Sequence, residues 1–284
     1  PYPQFGGKNI PVTERKDFLS PADFSVLLDK IEQFSGDAVI DLSLWGEIAL
    51  HPRREELIQS VLDRPALSLI IETSGCGWAG FDLEKAAEKA AAAKPRLNGQ
   101  PALSWIVSLS PSELPMPGLT GEESEAVSFA KKLSACFPRE HGKDDRVYIE
   151  AIRTSGAEDA IEQFYRSWKA YSAGDPAKGS SVPAIIIQKY DSFCGFLPQK
   201  QTVDLSPVER RPCWHLMRDF PILIDGTVPL CREVPENFMI VGNALNEDLE
   251  TIWKRGEEAY LSHCRKVYAP GSCGICDEYY TYNF

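Results

Sequence analysis

The sequence predicts an α/β protein: a partial (β/α)6-type, TIM-like barrel that lacks its first strand, followed by a small cysteine-rich metal-binding module. Helical and strand patterns alternate with short turns from residue 18 to residue 190, which is typical of βα units around a parallel sheet. After about residue 205 this alternation stops, and the rest is dense in cysteine, proline and turn residues. We therefore expect two domains, residues 1–204 and residues 205–284.

The first predicted helix has signals at both ends. Ser20, Pro21 and Asp23 supply an N-cap, a proline at the first helical position and a capping-box carboxylate, and Gly36 is placed to end the helix. Apolar residues recur between them at helical spacing. They are Phe24, Leu27, Leu28, Ile31 and Phe34.

Five strands follow, and a helix precedes each of them. The predicted strands are 38–44, 68–72, 103–108, 147–152 and 184–188. The helices before the last four are 53–62, 82–94, a helix that reaches residue 133 from a capping box at Thr120 and Glu123, and 157–171. The array begins with a helix that has no strand before it. Because a parallel βα unit needs that strand, we expect it to lie upstream of residue 1.

Composition excludes several classes of protein. With 284 residues, of which 43% are hydrophobic, the chain is long and apolar enough to bury a core, so disorder is excluded as its main state. The 30 basic and 41 acidic residues give a net charge of 30 − 41 = −11, which disfavours a nucleic-acid partner. No apolar run approaches the roughly 20 residues of a membrane helix, and we expect a soluble, cytoplasmic protein without a membrane partner.

Five of the eight cysteines crowd the end of the chain. They are Cys213, Cys231, Cys264, Cys273 and Cys276. The Cys-x-x-Cys spacing of the last two puts two thiolates on one turn, and Asp225-Gly226 indicates a hairpin that presents Cys231. Only one helix, 247–253 with Asn246 as its cap, is predicted there. Because a module of this size can bury few apolar groups, a bound metal is a natural source of its stability.

Four soft sulfur ligands favour zinc or an iron–sulfur cluster over magnesium or calcium. The spacing alone leaves zinc, an iron–sulfur cluster and a set of disulfides open. We expect Cys213, Cys231, Cys273 and Cys276 to be the ligands, with Cys264 as a spare thiol or a ligand to something else. The isolated cysteines are predicted to be ordinary buried thiols. These are Cys76, Cys136 and Cys194.

Several short motifs of the tail occur together in order. They are Pro212-Cys213-Trp214, Asp225-Gly226, Val228-Pro229-Leu230-Cys231, Val241-Gly242-Asn243, Leu249-Glu250-Thr251-Ile252-Trp253 and Cys273-Gly274-Ile275-Cys276-Asp277. Over residues 207–280 this pattern resembles the SPASM-type domain that follows many radical S-adenosylmethionine enzymes, and the whole sequence most resembles the spiro-SPASM group. The resemblance implies that the tail cysteines hold an auxiliary [4Fe-4S] cluster.

The front half carries a second resemblance to the same superfamily. Leu44-Trp45-Gly46-Glu47 with Leu50-His51-Pro52, and Ile71-Glu72-Thr73-Ser74-Gly75, resemble segments that follow strands of the radical enzymes. The resemblance implies that Gly46 and Glu47 receive the amino end of S-adenosylmethionine, and that Ser108 and Arg153 meet its ribose and its carboxylate. Two departures are Ile48, where the family usually has proline, and Ser74, where asparagine is common.

The cysteine triplet Cys-x3-Cys-x2-Cys, which binds the radical-generating cluster in that superfamily, does not occur in these 284 residues. The sequence opens with Pro1-Tyr2-Pro3, which resembles the segment directly after the third cysteine in many relatives. We therefore expect the parent chain to carry the triplet just upstream, together with its own [4Fe-4S] cluster. These 284 residues alone are expected to be inactive.

The resemblance implies a radical S-adenosylmethionine enzyme. Its parent chain would cleave the cofactor reductively to a 5′-deoxyadenosyl radical and take hydrogen from a peptide or small-molecule substrate, with a possible electron-donor protein as partner. The alternative is a non-catalytic binding or scaffold module with a structural four-cysteine zinc or iron–sulfur site. A zinc-dependent hydrolase is disfavoured, because the four histidines show no His-Glu-x-x-His spacing.

Overall fold

A computed structural model describes residues 18–43, 45–97, 99–110, 123–137, 146–173, 183–202, 206–233, 239–270 and 272–281. The described residues fall into two compact units. One lies within residues 35–190, and the other combines the first helix with the chain from Asp191 onward. This division differs from the boundary expected at residue 205, because the first helix and residues 191–204 group with the cysteine-rich tail.

The first unit is a five-stranded parallel sheet whose strands are ordered as they occur in the chain. The strands are β1 (Val39–Asp41), β2 (Ser68–Thr73), β3 (Leu103–Ser108), β4 (Val147–Arg153) and β5 (Ala184–Lys189). The helices between them are α2 (Arg54–Leu62), α3 (Leu83–Ala92), α4 (Glu125–Cys136) and α5 (Glu158–Ala173). The predicted α/β class and the order of its elements are confirmed.

The core of this unit forms around β3. Its residues from Leu103 to Val107 are all buried, as expected for the middle strand of a parallel sheet covered on both faces. The fully buried Trp105 meets the rings of Trp78, Phe129 and Phe137 edge-on. These contacts bring α4 and the loop after β2 onto the sheet, so the loops at the carboxyl ends of the strands start from a packed base.

The start of α4 differs from the predicted capping box. Thr120 lies outside the described residues. Ser124 is the N-cap, and its hydroxyl accepts the backbone N–H of Val127 at 3.3 Å, whereas Glu123 pairs with Lys131. Glu123 therefore lies one residue before the cap and acts through an ion pair rather than as part of the box.

The first helix, α1 (Pro21–Phe34), begins as predicted. The Ser20 hydroxyl accepts the N–H of Asp23 at 3.0 Å and donates to the Asp23 carboxylate at 2.9 Å. Its apolar face packs within the second unit, where Leu27 joins a buried cluster with tail residues. The other members are Val228, Ala244, Leu249 and Ile252. This packing explains why α1 groups with the tail.

The tail has more regular structure than the sequence indicated. Its elements are α6 (His215–Arg218), the antiparallel strands β6 (Thr227–Pro229) and β7 (Ile240–Asn243), and α7 (Leu249–Cys264). The prediction of a helix over 247–253 capped by Asn246 was wrong in its cap and length. Asp248 caps α7 by accepting the N–H of Thr251 at 3.0 Å. α7 runs through Gly256, where a Cβ would lie 3.3 Å from Leu230.

The Asp225-Gly226 turn leads into β6 rather than joining two strands directly. Gly226 has a φ of 81°, and a Cβ at this position would lie 2.7 Å from Oδ1 of Asn243. Both facts require glycine there. β6 and β7 pair as antiparallel strands, and Cys231 follows β6. None of the helices in the described ranges combines the length and apolarity that crossing a bilayer requires.

Candidate functional site

The four tail cysteines predicted as ligands share one electrostatic neighbourhood. Burial, with smaller contributions from the nearby thiols of Cys276 and Cys273, raises the pKa of the Cys213 thiol to about 12, although two backbone hydrogen bonds oppose the rise. Burial also raises the pKa of Cys231, with added contributions from Glu233, Cys213 and Cys276. The folded chain therefore brings Cys213, which precedes α6, and Cys231, which follows β6, towards the Cys-x-x-Cys turn.

All eight cysteines are free thiols. Among the described residues, no three His, Cys, Asp or Glu side chains are arranged to hold a metal ion. The donor set at this place consists of thiols, which are the ligands that suit a soft metal or an iron–sulfur cluster. The chemistry of the donors thus fits the cluster that the motifs imply, and the assignment of the ligands remains a prediction.

Cys194 also belongs to this neighbourhood, although we expected an ordinary buried thiol. Its hydrogen bond with the Cys276 thiol raises the pKa of Cys194 and lowers that of Cys276. Its thiol also lies 3.7 Å from the carbonyl oxygen of Ser272. Phe193 and Cys194 both have positive φ, 50° and 53°, which is uncommon for residues with a side chain. Motif spacing could not indicate this thiol, because no second cysteine lies near Cys194 in the sequence.

The remaining cysteines lie elsewhere. Cys264 is exposed at the end of α7, where it hydrogen-bonds with Tyr260. Cys76 is exposed in the loop after β2, so its predicted burial was wrong. Cys136 is half-buried at the end of α4, where burial raises the pKa of its thiol.

Backbone and histidine groups support the cysteine segments. The backbone N–H of Glu233 lies 3.4 Å from Cys231 Sγ, and that of Glu278 lies 3.3 Å from Cys276 Sγ. Such N–H donors stabilise a thiolate. The backbone N–H of Cys213 donates to Nδ1 of the buried His263 at 3.3 Å, and burial lowers the pKa of this imidazole. His263 is therefore neutral and accepts at Nδ1.

The second buried histidine, His215, joins α6 to the end of the tail. Its Nε2 lies 3.2 Å from the carbonyl oxygen of Glu278, and its Nδ1 lies 2.6 Å from Asp219 Oδ2. Burial by itself would raise the pKa of the Asp219 carboxyl. Hydrogen bonds from His215 and Arg218 outweigh burial and bring this pKa down to about 2. Both histidines thus bond to cysteine-bearing segments.

A pair of buried carboxyl groups lies beside the thiols. Burial and the charges of Glu233 and Glu278 raise the pKa of Asp191 well above its usual value. Burial would also raise the pKa of Glu233, but Arg232 and the hydrogen bond with Asp191 hold it below its usual value. Asp191 therefore binds a proton more readily than Glu233 does.

The carboxyl ends of β1 and β2 meet at the Glu47 side chain. Oε1 accepts the backbone N–H of Ala49 at 3.2 Å and the hydroxyl of Thr73 at 2.9 Å. Oε2 accepts both the backbone N–H and the hydroxyl of Ser74, each at 2.9 Å. A carboxylate has about four lone-pair positions, so these four donors saturate it. Glu47 is held in a single orientation across two strand ends.

The loop after β2 is fixed around the same hydroxyl group. Thr73 Oγ1 accepts the N–H of Gly75 at 3.1 Å and the indole N–H of Trp78 at 2.8 Å. Gly75 has a φ of 78°, and a Cβ there would lie 3.0 Å from the Cα of Ala126 in α4. Only glycine satisfies both conditions, so the loop sits directly on the helix.

The other two predicted cofactor residues end neighbouring strands. Ser108 is the last residue of β3 and stands opposite Glu150 of β4. Arg153 ends β4 opposite Lys189 and is exposed. Gly46 follows β1, and its own backbone leaves room for a Cβ, with Ser43 O at 3.6 Å. The predicted residues therefore lie at one edge of a parallel sheet, where α/β proteins bind ligands.

Comparisons with known proteins agree with this arrangement. Residues 213–277 match the family model of SPASM, an iron–sulfur cluster-binding domain. The chain is similar to the crystal structure of BtrN in complex with AdoMet and 2-DOIA, with a TM-score of 0.52 and 15% identity over 95% of this chain and 89% of that one. It is also similar to anSMEcpe with bound AdoMet, with a TM-score of 0.50 and 13% identity over 96% of this chain and 81% of that one. At such identities the likeness shows a shared fold.

The match over the tail agrees with the SPASM-type domain that the motifs predicted, and the chain shares its fold with these two structures. An uncharacterised protein of Treponema pallidum (strain Nichols) is 38% identical over 274 residues, which are 95% of this chain and 72% of that protein. The chain belongs to the same family as this treponemal protein.

Proposed function

We propose that the chain is part of a radical S-adenosylmethionine enzyme whose tail holds an auxiliary [4Fe-4S] cluster. The observation that carries the proposal is the common neighbourhood of Cys213, Cys231, Cys273 and Cys276 inside the matched SPASM segment. When bound, this cluster supplies electron transfer or a fixed point for substrate. In this proposal the protein is cytoplasmic, and its partners are a peptide or small-molecule substrate and an electron-donor protein.

The tail residues prepare the thiolates for the cluster. The N–H groups of Glu233 and Glu278 stabilise negative sulfur. Neutral His263 accepts the N–H of Cys213 and thereby fixes the position of this ligand. The raised pKa of Asp191 favours its neutral form, which adds no negative charge beside the thiolates.

At the sheet edge, Gly46, Glu47, Ser108 and Arg153 bind S-adenosylmethionine in this proposal. The cofactor supplies a 5′-deoxyadenosyl radical after one-electron cleavage at a second cluster, whose cysteine triplet lies outside these residues. The Glu47 carboxylate already accepts four hydrogen bonds, so the ammonium group of S-adenosylmethionine must replace one of these donors. The Ser74 hydroxyl turns away most easily, because the Ser74 backbone N–H still holds the same oxygen.

The test uses the full-length gene product, purified without oxygen and reconstituted with iron and sulfide. We expect broad visible absorption, iron and sulfide beyond one cluster, and formation of 5′-deoxyadenosine after reduction with S-adenosylmethionine. Cys276→Ala is expected to lose the iron of the tail cluster, whereas Cys136→Ala, which changes a half-buried thiol of the other unit, keeps it.

Two outcomes would contradict the proposal in different ways. One zinc per chain without visible absorption would make the tail a structural metal site. A full complement of iron and sulfide with no 5′-deoxyadenosine, in a chain that contains the triplet, would favour a non-catalytic scaffold.

A further inference from the structure

Arg210 stands three residues before Cys213 and is held on both faces by aromatic rings. Its guanidinium carbon lies 4.3 Å from the ring centroid of Tyr279 and 4.7 Å from that of Tyr268. Nη1 donates to the carbonyl oxygen of Cys276 at 3.0 Å. The two rings and the carbonyl fix the plane of the guanidinium against the Cys-x-x-Cys turn, so its direction is set by the fold.

Two further nitrogen atoms, Nε and Nη2, make up the other edge of this guanidinium. Nε and Nη2 of Arg210 are buried, and neither has a hydrogen-bond acceptor among the described residues. These two nitrogens form the fork that binds an anion with two parallel N–H groups. A buried charged donor without an acceptor is strongly unfavourable, so these two nitrogens need an acceptor beyond those that the residues in the described ranges supply.

A thiol of the Cys-x-x-Cys turn lies near this guanidinium. Burial and Cys276 raise the pKa of the Cys273 thiol, and the positive charge of Arg210 opposes them, which places the guanidinium within electrostatic reach of this ligand. The neighbouring carboxylate of Glu233 already has Arg232 and Asp191 as partners. An iron–sulfur cluster brings sulfide and thiolate sulfurs, which accept hydrogen bonds and carry net negative charge.

We propose that the fork edge of Arg210 donates to sulfur atoms of the tail [4Fe-4S] cluster and raises its reduction potential. The inference rests on the tail cluster of the proposed function. Reduction adds one negative charge to the cluster, and a fixed cation with two N–H donors stabilises the reduced form more than the oxidised form. Arg210 is thus a positioning residue that acts on the potential of the cluster.

The experiment compares the full-length holoprotein with its Arg210→Gln and Arg210→Lys variants. Arg211→Gln is the matched control. It removes the same charge from the neighbouring residue, whose side chain is exposed. Iron and sulfide are counted, and the reduced fraction is followed by electron paramagnetic resonance at poised potentials. The signal that disappears in Cys276→Ala identifies the tail cluster.

We expect Arg210→Gln to keep its iron and to lower the ratio of reduced to oxidised tail cluster at least tenfold at a fixed potential, which is 59 mV for a one-electron couple. Arg210→Lys should lower this ratio less, because lysine keeps the charge and loses the fork. Arg211→Gln should titrate like the wild-type protein.

Each other outcome has a distinct meaning. An Arg210→Gln variant with full iron and the potential of the Arg211→Gln control overturns the inference and leaves the proposed function standing. A wild-type chain without a tail iron–sulfur signal removes the proposed tail cluster itself. If Arg210→Gln loses iron, the titration of Arg210→Lys decides between the outcomes. A lowered ratio of reduced to oxidised tail cluster in Arg210→Lys supports the inference. An unchanged ratio, or a folded Arg210→Lys protein without iron, overturns it.

Discussion

Lys30 provides the most direct test of how α1 is joined to the tail. Its ammonium group donates to the carbonyl oxygens of Ala244, Leu245 and Glu247 at 2.7, 2.9 and 2.9 Å. All three N–H groups are therefore used on the turn between β7 and α7. The side chain is half-buried, so its stem also packs on the protein. Lys30→Met removes the charge and keeps most of that packing.

The expected cost follows from these three bonds. A hydrogen bond to a charged group contributes about 1.5–3 kcal/mol, and three bonds to one ammonium group are not additive. Water replaces part of what a half-buried group loses. We therefore expect Lys30→Met to destabilise the second unit by about 3 kcal/mol, which is a roughly hundredfold change in its opening equilibrium.

Amide hydrogen exchange of α1 and α7, followed by mass spectrometry of the holoprotein, measures this effect locally. Lys254→Met is the matched control: it removes an exposed lysine that pairs with Glu250 four residues away on α7, and such an exposed pair contributes little to stability. Exchange of α1 and α7 that accelerates no more in Lys30→Met than in Lys254→Met would refute the reasoning.

Three further predictions concern other parts of the protein. Gly75→Ala should destabilise the first unit by about 2–4 kcal/mol in urea unfolding, because the new side chain adds both left-handed backbone strain and overpacking. Gly80→Ala is the control: its φ is a similar 77° but it lies in open space, so it should cost about 1–2 kcal/mol. Equal costs for the two variants would exclude the close contact with α4. Ser74→Ala should tighten S-adenosylmethionine binding about 2–10-fold by calorimetry, because it frees one lone pair of Glu47; weaker binding would mean that the hydroxyl itself contacts the cofactor. The folded pKa of Asp219, about 2, lies below the unfolded value of about 3.9, so its carboxylate stabilises the folded protein above pH 4 by about 2 kcal/mol, and this contribution is lost as the pH falls from 4 to 2. The difference in unfolding free energy between wild type and Asp219→Asn should close over that range, and a constant difference would contradict the ion pair.

Elements governed by local patterns were predictable. The capping box at Ser20 and Asp23, and the position of β3 at 103–108, agree with the structure because each depends on neighbouring residues. The length of α7 was not predictable in the same way. The predicted helix ended at residue 253, whereas α7 runs on through Gly256 to Cys264.

The same distinction between local and distant contacts applies to the candidate site. The Cys-x-x-Cys turn and the Gly46-Glu47 segment are short motifs, so the sequence alone showed them. The approach of Cys194 to Cys276 joins positions 82 residues apart, and it depends on a left-handed backbone that no local motif announces. The stacking of Arg210 between Tyr268 and Tyr279 likewise depends on chain segments that meet only after folding.

The sequence by itself determined the α/β class, the order of the strands, the cysteine spacing and the family, because periodicity and motif spacing are properties of contiguous residues. Only the tertiary structure decided that α1 packs with the tail, that Glu47 accepts hydrogen bonds from the loop after β2, and that two nitrogen atoms of Arg210 are buried. These contacts arise from burial and from the pairing of polar groups between distant segments. The partners in these contacts meet only when the chain folds, so the spacing of residues in the sequence does not indicate them.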